Sequence, residues 1–189
     1  VVTVPTEVLK RKLDPFNSKV VVLSNYLDDR IWLDDGPIVK PGSEYITICY
    51  QASYTHQPDF EEIVPVVNRL IETYQKEIRF KIWGIPTVES LSGLPNVEFL
   101  PAFSSDYREF VEKIKLEKID IGIAPLKVNE FNRAKSAIKY LEYGANHIPA
   151  VYANTGQYVG VVTEGKTGFL AEATEDWIEK LSKLIEGPE

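Results

Sequence analysis

Short apolar runs alternate along the chain with longer segments whose apolar residues recur at helical spacing. The short runs are rich in β-branched and aromatic residues, which indicates buried strands. Strands are predicted at 19–24, 45–50, 78–83, 97–100, 119–124 and 148–152, and helices at 59–76, 106–116, 135–146 and 174–186. Because strands and helices alternate, the pattern predicts an α/β fold. We expect a Rossmann-like, doubly wound, mostly parallel sheet of about six strands with helices on both faces.

The first long helix has distinct signals at its start. Asp59 is predicted to cap its N-terminus, with Glu62 three residues later, and Pro65 is expected to bend it. The last helix is predicted to bury apolar side chains, including Trp177 and Leu181, as packing rather than as a binding face.

Composition places the chain among ordinary globular proteins. Its 189 residues match the size of one compact domain, and its apolar content of 44% is typical. A net charge of −7 without long like-charge blocks argues against nucleic acid as a partner. No apolar run approaches the roughly 18 residues of a transmembrane segment. The single cysteine, Cys49, forms no internal disulfide, so we expect a reducing compartment and a cytoplasmic location.

A linker candidate divides the chain. Residues 34–43 contain two prolines and two glycines, which is typical of a connecting segment. Residues 1–36 are predicted to be the end of a preceding domain or an N-terminal extension with a strand, and residues 37–189 a Rossmann-like domain. Methionine is absent, even at position 1, so we expect the chain to be a piece of a longer protein.

The segment 132–151 combines charged residues with a helical apolar pattern. The predicted charged face of its helix holds Lys135, Lys139 and Glu142, and the predicted packed face holds Ile138, Leu141 and Ala145. A carboxylate that binds neighbouring hydroxyls, beside cations that neutralise phosphates, is what a sugar-nucleotide site requires. The alternative is a solvent-exposed helix face with a Lys–Glu pair.

The run from Glu142 to Val151, E-Y-G-A-N-H-I-P-A-V, resembles the donor-binding half of retaining, group 1 type glycosyltransferases with the GT-B fold. The family pattern there is E-A-x-A-x-G-x-P-V-V, and the resemblance covers roughly residues 19 to 187. The K-S-x-x-K-x-x-E spacing from Lys135 to Glu142 is similar to that of a bacterial subgroup. The family often has a second Glu that contacts the transferred sugar, and this chain has Ala134 there.

The resemblance implies a hexosyltransferase-type enzyme. Residues 37–189 would bind a nucleotide-diphosphate sugar, and an N-terminal domain of the same longer chain would hold the acceptor. No metal or other cofactor would be required. We expect this piece to have no transfer activity by itself.

The resemblance also implies roles for particular residues. Glu142 would bind the ribose hydroxyls, and Lys135 with Arg133 would act catalytically by stabilising the diphosphate leaving group. Ser136 would add a phosphate contact, and Lys139 would be a second phosphate contact or a surface partner of Glu142.

Two loops at the carboxyl ends of strands complete the predicted site, because open α/β sheets bind ligands at that edge. The turn Ala52–Ser53 replaces the glycine turn of the family and would contact phosphates. Pro101 and Phe103 follow the strand at 97–100, where the family holds the nucleobase. His56 is either a donor to the sugar or phosphate, or a structural residue.

One motif is rejected. Residues 160–167 match G-x-x-x-x-G-K-[ST], but a phosphate loop needs a strand before it and a helix directly after it. Gly168 and the residues after it indicate a turn into an extended segment, so we predict a surface turn.

Other function classes stay open from the sequence. A non-catalytic Rossmann-like nucleotide-binding or interaction module is favoured by Ala134 and by the absence of Lys or Arg between Ala52 and Arg69. A related sugar-nucleotide epimerase is a third possibility. The nucleobase, the sugar and the acceptor are not determined.

Overall fold

A computed structural model of the chain describes residues 1–32, 44–102 and 106–187. Its strands are β1 Val2–Val4, β2 Val20–Val22, β3 Ile46–Gln51, β4 Ile78–Trp83, β5 Val97–Leu100, β6 Ile121–Ala124, β7 Ala150–Ala153 and β8 Phe169–Ala171. Its α-helices are α1 Glu7–Leu13, α2 Asp29–Trp32, α3 Gln57–Glu61, α4 Val64–Tyr74, α5 Tyr107–Leu116, α6 Glu130–Arg133, α7 Ile138–Ala145, α8 Gly156–Val159 and α9 Thr174–Glu186.

Strands β3 to β8 form one parallel sheet in the order β5-β4-β3-β6-β7-β8. Because β3 is the first of these strands along the chain, this is the 3-2-1-4-5-6 order of the doubly wound Rossmann fold. The predicted α/β class, parallel sheet and strand number are therefore confirmed. The chain direction across the sheet reverses between β3 and β6, so the loops that follow these two strands diverge and leave a crevice at their carboxyl ends.

One predicted strand belongs to a different sheet. The run at 19–24 gives β2, which pairs with β1 in a separate two-stranded parallel sheet joined by α1. The sixth strand of the main sheet is instead β8, which the sequence analysis described only as an extended segment. At three residues, β8 is too short to show an apolar run of its own.

Two predicted helices differ from the structure. The helix predicted at 59–76 is two helices, α3 and α4, that are interrupted at Glu62 and Ile63. Pro65 lies in the first turn of α4, where its missing N–H costs no intrahelical bond, so it starts a helix rather than bending one. The helix predicted from 135 begins at Ile138, so Lys135 and Ser136 precede it.

The core lies between the main sheet and its helices. Ile48, Cys49 and Tyr50 of β3 are fully buried, as expected for a central strand covered on both faces. Helices α4 and α9 pack against each other, and Trp177 and Leu181 of α9 are buried as predicted.

The N-terminal segment 1–32 packs against the residues that lead into α7. Thr6 Oγ1 donates to the carbonyl oxygen of Ala134 at 2.8 Å, and Asn25 Nδ2 donates to Ser136 Oγ at 2.7 Å. The predicted linker at 34–43 lies outside the described residues, and the boundary between 1–36 and 37–189 stays a prediction.

Candidate functional site

Two adjoining cavities open at the crevice between β3 and β6. They have volumes of about 360 Å³ and about 300 Å³, and both are lined by Ile138 and Lys139 of α7. The first, here named the histidine cavity, is lined by Pro5, Leu9, His56, Pro125, Leu126, Phe131, Ala134, Lys135, Ser136, Ile138, Lys139, Gln157 and Tyr158. The second, named the glutamate cavity, is lined by Gln51, Ala52, Ser53, Ala102, Phe110, Ile138, Lys139 and Glu142.

Glu142 is held at the carboxyl end of β3. Its side chain is only 7% exposed, and its Oε2 accepts a hydrogen bond from Gln51 Nε2 at 3.1 Å. Lys139, one helical turn earlier on α7, donates to the main-chain carbonyl of the same Gln51. The polar face of α7 therefore points into the protein at the sheet edge. The alternative of a solvent-exposed Lys–Glu face is wrong.

The expected packing of α7 is also corrected. Ile138, Leu141 and Ala145 are only half-buried, whereas Glu142 and Tyr143 are the buried residues of the helix. The reason is that Tyr143 anchors α7 to the sheet, where its hydroxyl donates to the carbonyl oxygen of Ile123 at 3.1 Å.

Burial perturbs both charged groups of the glutamate cavity. It raises the pKa of Glu142, against the opposing effects of Lys139 and the Gln51 hydrogen bond. It lowers the pKa of Lys139, against the opposing effect of Glu142. Gln51 Oε1 is buried and has no hydrogen-bond partner within the described part of the chain. Such groups cost stability unless a ligand or partner compensates them, so this is an expected position for a binding site.

His56 lies between a buried carboxylate and a lysine in the histidine cavity. Its Nδ1 is 2.7 Å from Asp59 Oδ2, and its Nε2 is 3.5 Å from Lys135 Nζ. Lys135 Nζ also lies 4.9 Å from the centroid of the Phe131 ring. Burial lowers the pKa of Lys135, and the charge of Asp59 opposes that shift.

Asp59 joins three segments of the chain. Besides His56, it accepts hydrogen bonds from the Lys127 main-chain N–H at 2.9 Å and from Asn132 Nδ2 at 2.8 Å. Burial alone would raise the pKa of Asp59, but these three hydrogen bonds outweigh burial and hold the pKa below its usual value. The predicted role of Asp59 as a helix cap is wrong, because α3 already begins at Gln57 and the carboxylate points away to the loop after β6.

Several predicted site residues meet at these cavities. The histidine cavity contains Lys135, Ser136 and Lys139, and the glutamate cavity contains Ala52, Ser53, Lys139 and Glu142.

Other predicted site residues lie elsewhere. Arg133 is exposed at the end of α6 and is not among the residues lining the two cavities. Pro101 is exposed beside Ala102, which lines the glutamate cavity. Phe103 lies outside the described residues.

Three residues with a central place in the site were not predicted for it: Gln51, Asp59 and Asn132. Gln51 is the polar last residue of a mostly apolar strand, at the carboxyl end where parallel sheets bind ligands, and this position is the signal that marks it. Asp59 and Asn132 give no comparable signal, because their bond joins residues 73 positions apart.

A third cavity of about 390 Å³ lies nearby, at the carboxyl ends of β7 and β8. Its charged lining residues are Glu62, Glu172, Glu175 and Lys127, and Lys127 forms an ion pair with Glu62 at 3.1 Å. This excess of carboxylates does not suit an anionic ligand. The third cavity is therefore a poorer candidate site than the other two, although its volume is slightly larger.

The rejected phosphate-loop motif at 160–167 is a turn. Thr163 N–H donates to Thr167 Oγ1 at 2.9 Å, so the motif's hydroxyl closes its own turn. Strand β8 follows at Phe169 instead of a helix. The prediction of a turn is confirmed.

Two features are absent from the described ranges 1–32, 44–102 and 106–187. Within them, no three His, Cys, Asp or Glu side chains converge as a metal ion would require. No helix there combines the length and apolar character needed to cross a membrane.

Comparison with protein families supplies independent information. A family model described as "Glycosyl transferases group 1" matches residues 46–187, which include β3 to β8 and both sides of the crevice. The chain belongs to the group 1 glycosyl transferases. No curated protein matches the chain.

Several solved structures share the fold of this chain. A Rickettsia africae glycosyltransferase has a TM-score of 0.71 at 14% identity, with 98% of this chain and 53% of that chain covered. HepE from Anabaena, in complex with UDP-glucose, has a TM-score of 0.67 at 12% identity, with coverage of 98% and 53%. A TarM mutant from S. aureus, in complex with UDP and sugar ligands, has a TM-score of 0.69 at 14% identity, with coverage of 98% and 37%. The chain thus spans about half or less of the length of these structures.

Proposed function

We propose that this chain is the donor-binding part of a glycosyltransferase that transfers a sugar from a nucleotide diphosphate to an acceptor. The observation that carries the proposal is the position of Glu142, a buried carboxylate held by Gln51 where the strand order reverses. The family match supports sugar transfer. Two structural neighbours are complexes with UDP or UDP-glucose, which supports a nucleotide-sugar donor.

The two cavities suggest which part of the nucleotide sugar each one would bind. Glu142 accepts hydrogen bonds from the ribose hydroxyls in the glutamate cavity, with the base extending towards Ala102 and the adjacent Pro101. The diphosphate enters the histidine cavity, where Lys135 provides positive charge and Ser136 provides a hydroxyl. Lys139 lines both cavities and contacts the first phosphate, next to the ribose. Ala52 and Ser53 form part of the wall of the glutamate cavity.

The chemistry would be stabilisation of the leaving group. Negative charge grows on the diphosphate as the bond to the sugar breaks, and preorganised cations lower that barrier. Lys135 carries this role, and Arg133 joins it by reorienting from its exposed position. We propose a retaining hexosyl transfer in which these side chains supply the positive charge without a metal ion. Because Ala134 replaces an acidic residue, contacts to the sugar come from other groups.

The acceptor would be held by a domain that precedes residue 37. The β1–β2 sheet has only two parallel strands, and parallel sheets are normally covered on both faces. Val21 and Leu23 nevertheless remain 51% and 63% exposed. We propose that residues 1–36 are the end of an N-terminal acceptor domain of the same polypeptide, located in the cytoplasm. Transfer would then require that domain, and the 189-residue chain alone would be inactive.

Calorimetric titration with UDP, GDP, ADP and dTDP tests the donor site. One nucleotide should bind, and Glu142→Gln should weaken it by about 1 to 3 kcal/mol through lost hydrogen bonds to the ribose. Glu112→Gln, at an exposed position of α5, serves as the matched control and should bind as the wild type does. Failure of all four nucleotides to bind, or equal affinity in the Glu142 variant, would overturn the assignment.

A non-catalytic nucleotide-binding module is the second candidate. Ala134 favours it, because that position lacks the acidic residue that would contact the transferred sugar. The two candidates separate when a polypeptide that includes the acceptor domain is incubated with the nucleotide sugar that binds. Release of the nucleoside diphosphate supports the transferase, and tight donor binding without any release supports the module.

A further inference from the structure

The charges around the two cavities nearly cancel. Asp59 and Glu142 provide two carboxylates, and Lys135 and Lys139 provide two ammonium groups. These four groups together contribute no net positive charge. A diphosphate that carries several negative charges therefore needs another cation close to it.

His56 is the titratable group placed to supply that cation. Its Nδ1 is fixed by the Asp59 carboxylate, so its Nε2 faces the cavity beside Lys135. A carboxylate on one nitrogen orients the ring and stabilises its protonated form. His56 Nε2 and Lys135 Nζ lie 3.5 Å apart in the structure.

We propose that His56 is an additional cation of the diphosphate subsite, beside the lysines, and takes up a proton from solvent when the diphosphate binds. The inference rests on the proposed donor site. Binding places an anion between Lys135 and His56, which removes the repulsion that two neighbouring cations would otherwise have. The protonated Nε2 then donates to a phosphate oxygen, and its charge offsets the charge that develops on the leaving group.

The other groups that face His56 do not compete for this proton. Tyr50 donates its hydroxyl to the His56 carbonyl oxygen at 3.3 Å, and Tyr158 lines the same cavity. Burial raises the pKa of both tyrosines far above neutrality, so they stay uncharged. Glu142 lines the glutamate cavity and Lys139 lines both cavities, and Asp59 stays ionised because its pKa is lowered.

Calorimetry in two buffers of different ionisation enthalpy measures the proton uptake. With the nucleoside diphosphate that binds, at about pH 7, the wild type should take up a measurable fraction of one proton per ligand. His56→Gln should abolish the uptake and weaken binding about tenfold. His147→Gln, at the exposed second histidine of the chain, should behave as the wild type.

Nuclear magnetic resonance provides a readout that leaves His56 intact. The chain has two histidines, so the His147→Gln spectrum assigns the remaining ring signal to His56. Saturating nucleotide should move that signal towards its low-pH position. Nucleotide binding with no proton uptake and an unmoved signal would overturn this inference and leave the donor site standing. Absence of any nucleotide binding would overturn the donor site, and this inference with it.

Discussion

Gly84 lies directly against the carbonyl oxygen of Ala52, so close that a β-carbon on Gly84 would overlap that oxygen. The two residues follow neighbouring strands, β4 and β3, and the Ala52 N–H donates to the carbonyl of Trp83 at 3.0 Å. Gly84 also has a φ of +79°, a conformation that residues with a side chain rarely adopt. The Ala52–Ser53 wall of the glutamate cavity therefore depends on a glycine in the next loop.

Gly84→Ala should destabilise the protein and weaken nucleotide binding. Backbone strain contributes about 1 kcal/mol, and displacement of the Ala52 carbonyl adds about 1 to 3 kcal/mol. Gly93→Ala is the matched control, since Gly93 has a similar φ of +77° but no atom within 4 Å of its added carbon. Urea denaturation and nucleotide titration are carried out on both variants. Both carry the backbone strain of a positive φ, so any additional loss in Gly84→Ala reports the overlap with the Ala52 carbonyl. Equal losses of stability would contradict the proposed overlap.

Gly122→Ala should disturb α7 through Tyr143. A β-carbon at Gly122 would lie 2.8 Å from the Tyr143 ring, which anchors the helix next to Glu142. We expect a loss of about 1 to 3 kcal/mol in the free energy of unfolding and a weaker nucleotide affinity.

The control for this variant is Gly144→Ala on the same helix. No atom lies within 4 Å of a carbon added there, and alanine favours helix over glycine by up to about 1 kcal/mol. Thermal denaturation should therefore show a neutral or stabilising effect. If Gly144→Ala is as unstable as Gly122→Ala, the loss of stability does not come from overlap with the Tyr143 ring.

The fold could be predicted because most strands of the main sheet are short segments rich in β-branched and aromatic residues, set between segments with helical apolar spacing. The segments at 78–83 and 97–100 match β4 and β5 at both ends. Periodicity does not encode which strands pair, so the membership of β2 in a separate sheet was not predictable. Short β8 has too few residues to give a pattern.

The site could be predicted only in its local part. Glu142 and Lys139 are close in sequence, and their spacing on a helix already suggested a shared face. The partners that fix them were missed because the Gln51–Glu142 bond joins residues 91 positions apart. The packed face of α7 was predicted wrongly as Ile138, Leu141 and Ala145, because apolar spacing alone does not show that a sheet edge supplies polar partners for Glu142.

The hydrogen bonds that Asp59 makes with His56, Lys127 and Asn132 should make the free energy of unfolding depend on pH at acidic values. The pKa of Asp59 is lowered in the folded protein from the ordinary value of 3.8, so its carboxylate stabilises the fold above that pH. This contribution is lost as the pH falls through the lower, folded-state pKa. Asp59→Asn should therefore reduce the free energy of unfolding by about 1 to 3 kcal/mol at neutral pH.

Urea denaturation at a series of pH values checks this expectation. The difference between wild type and Asp59→Asn should be largest above pH 3.8 and should shrink below it. Glu112→Gln, at an exposed position, should show no comparable dependence. If the difference in free energy of unfolding between the two proteins stays constant down to low pH, the charge of the Asp59 carboxylate does not stabilise the fold.

Ser136 has two possible partners, and paired variants distinguish them. Its hydroxyl accepts a hydrogen bond from Asn25, which ties segment 1–32 to the residues before α7. If Ser136 also contacts a donor phosphate, Ser136→Ala should weaken nucleotide binding by about 1 kcal/mol, whereas Asn25→Ala should leave it nearly unchanged. Both variants should increase protease cleavage within segment 1–32, because both remove the Asn25 bond. Equal nucleotide affinities in the two variants would assign Ser136 to the docking of the N-terminal segment alone.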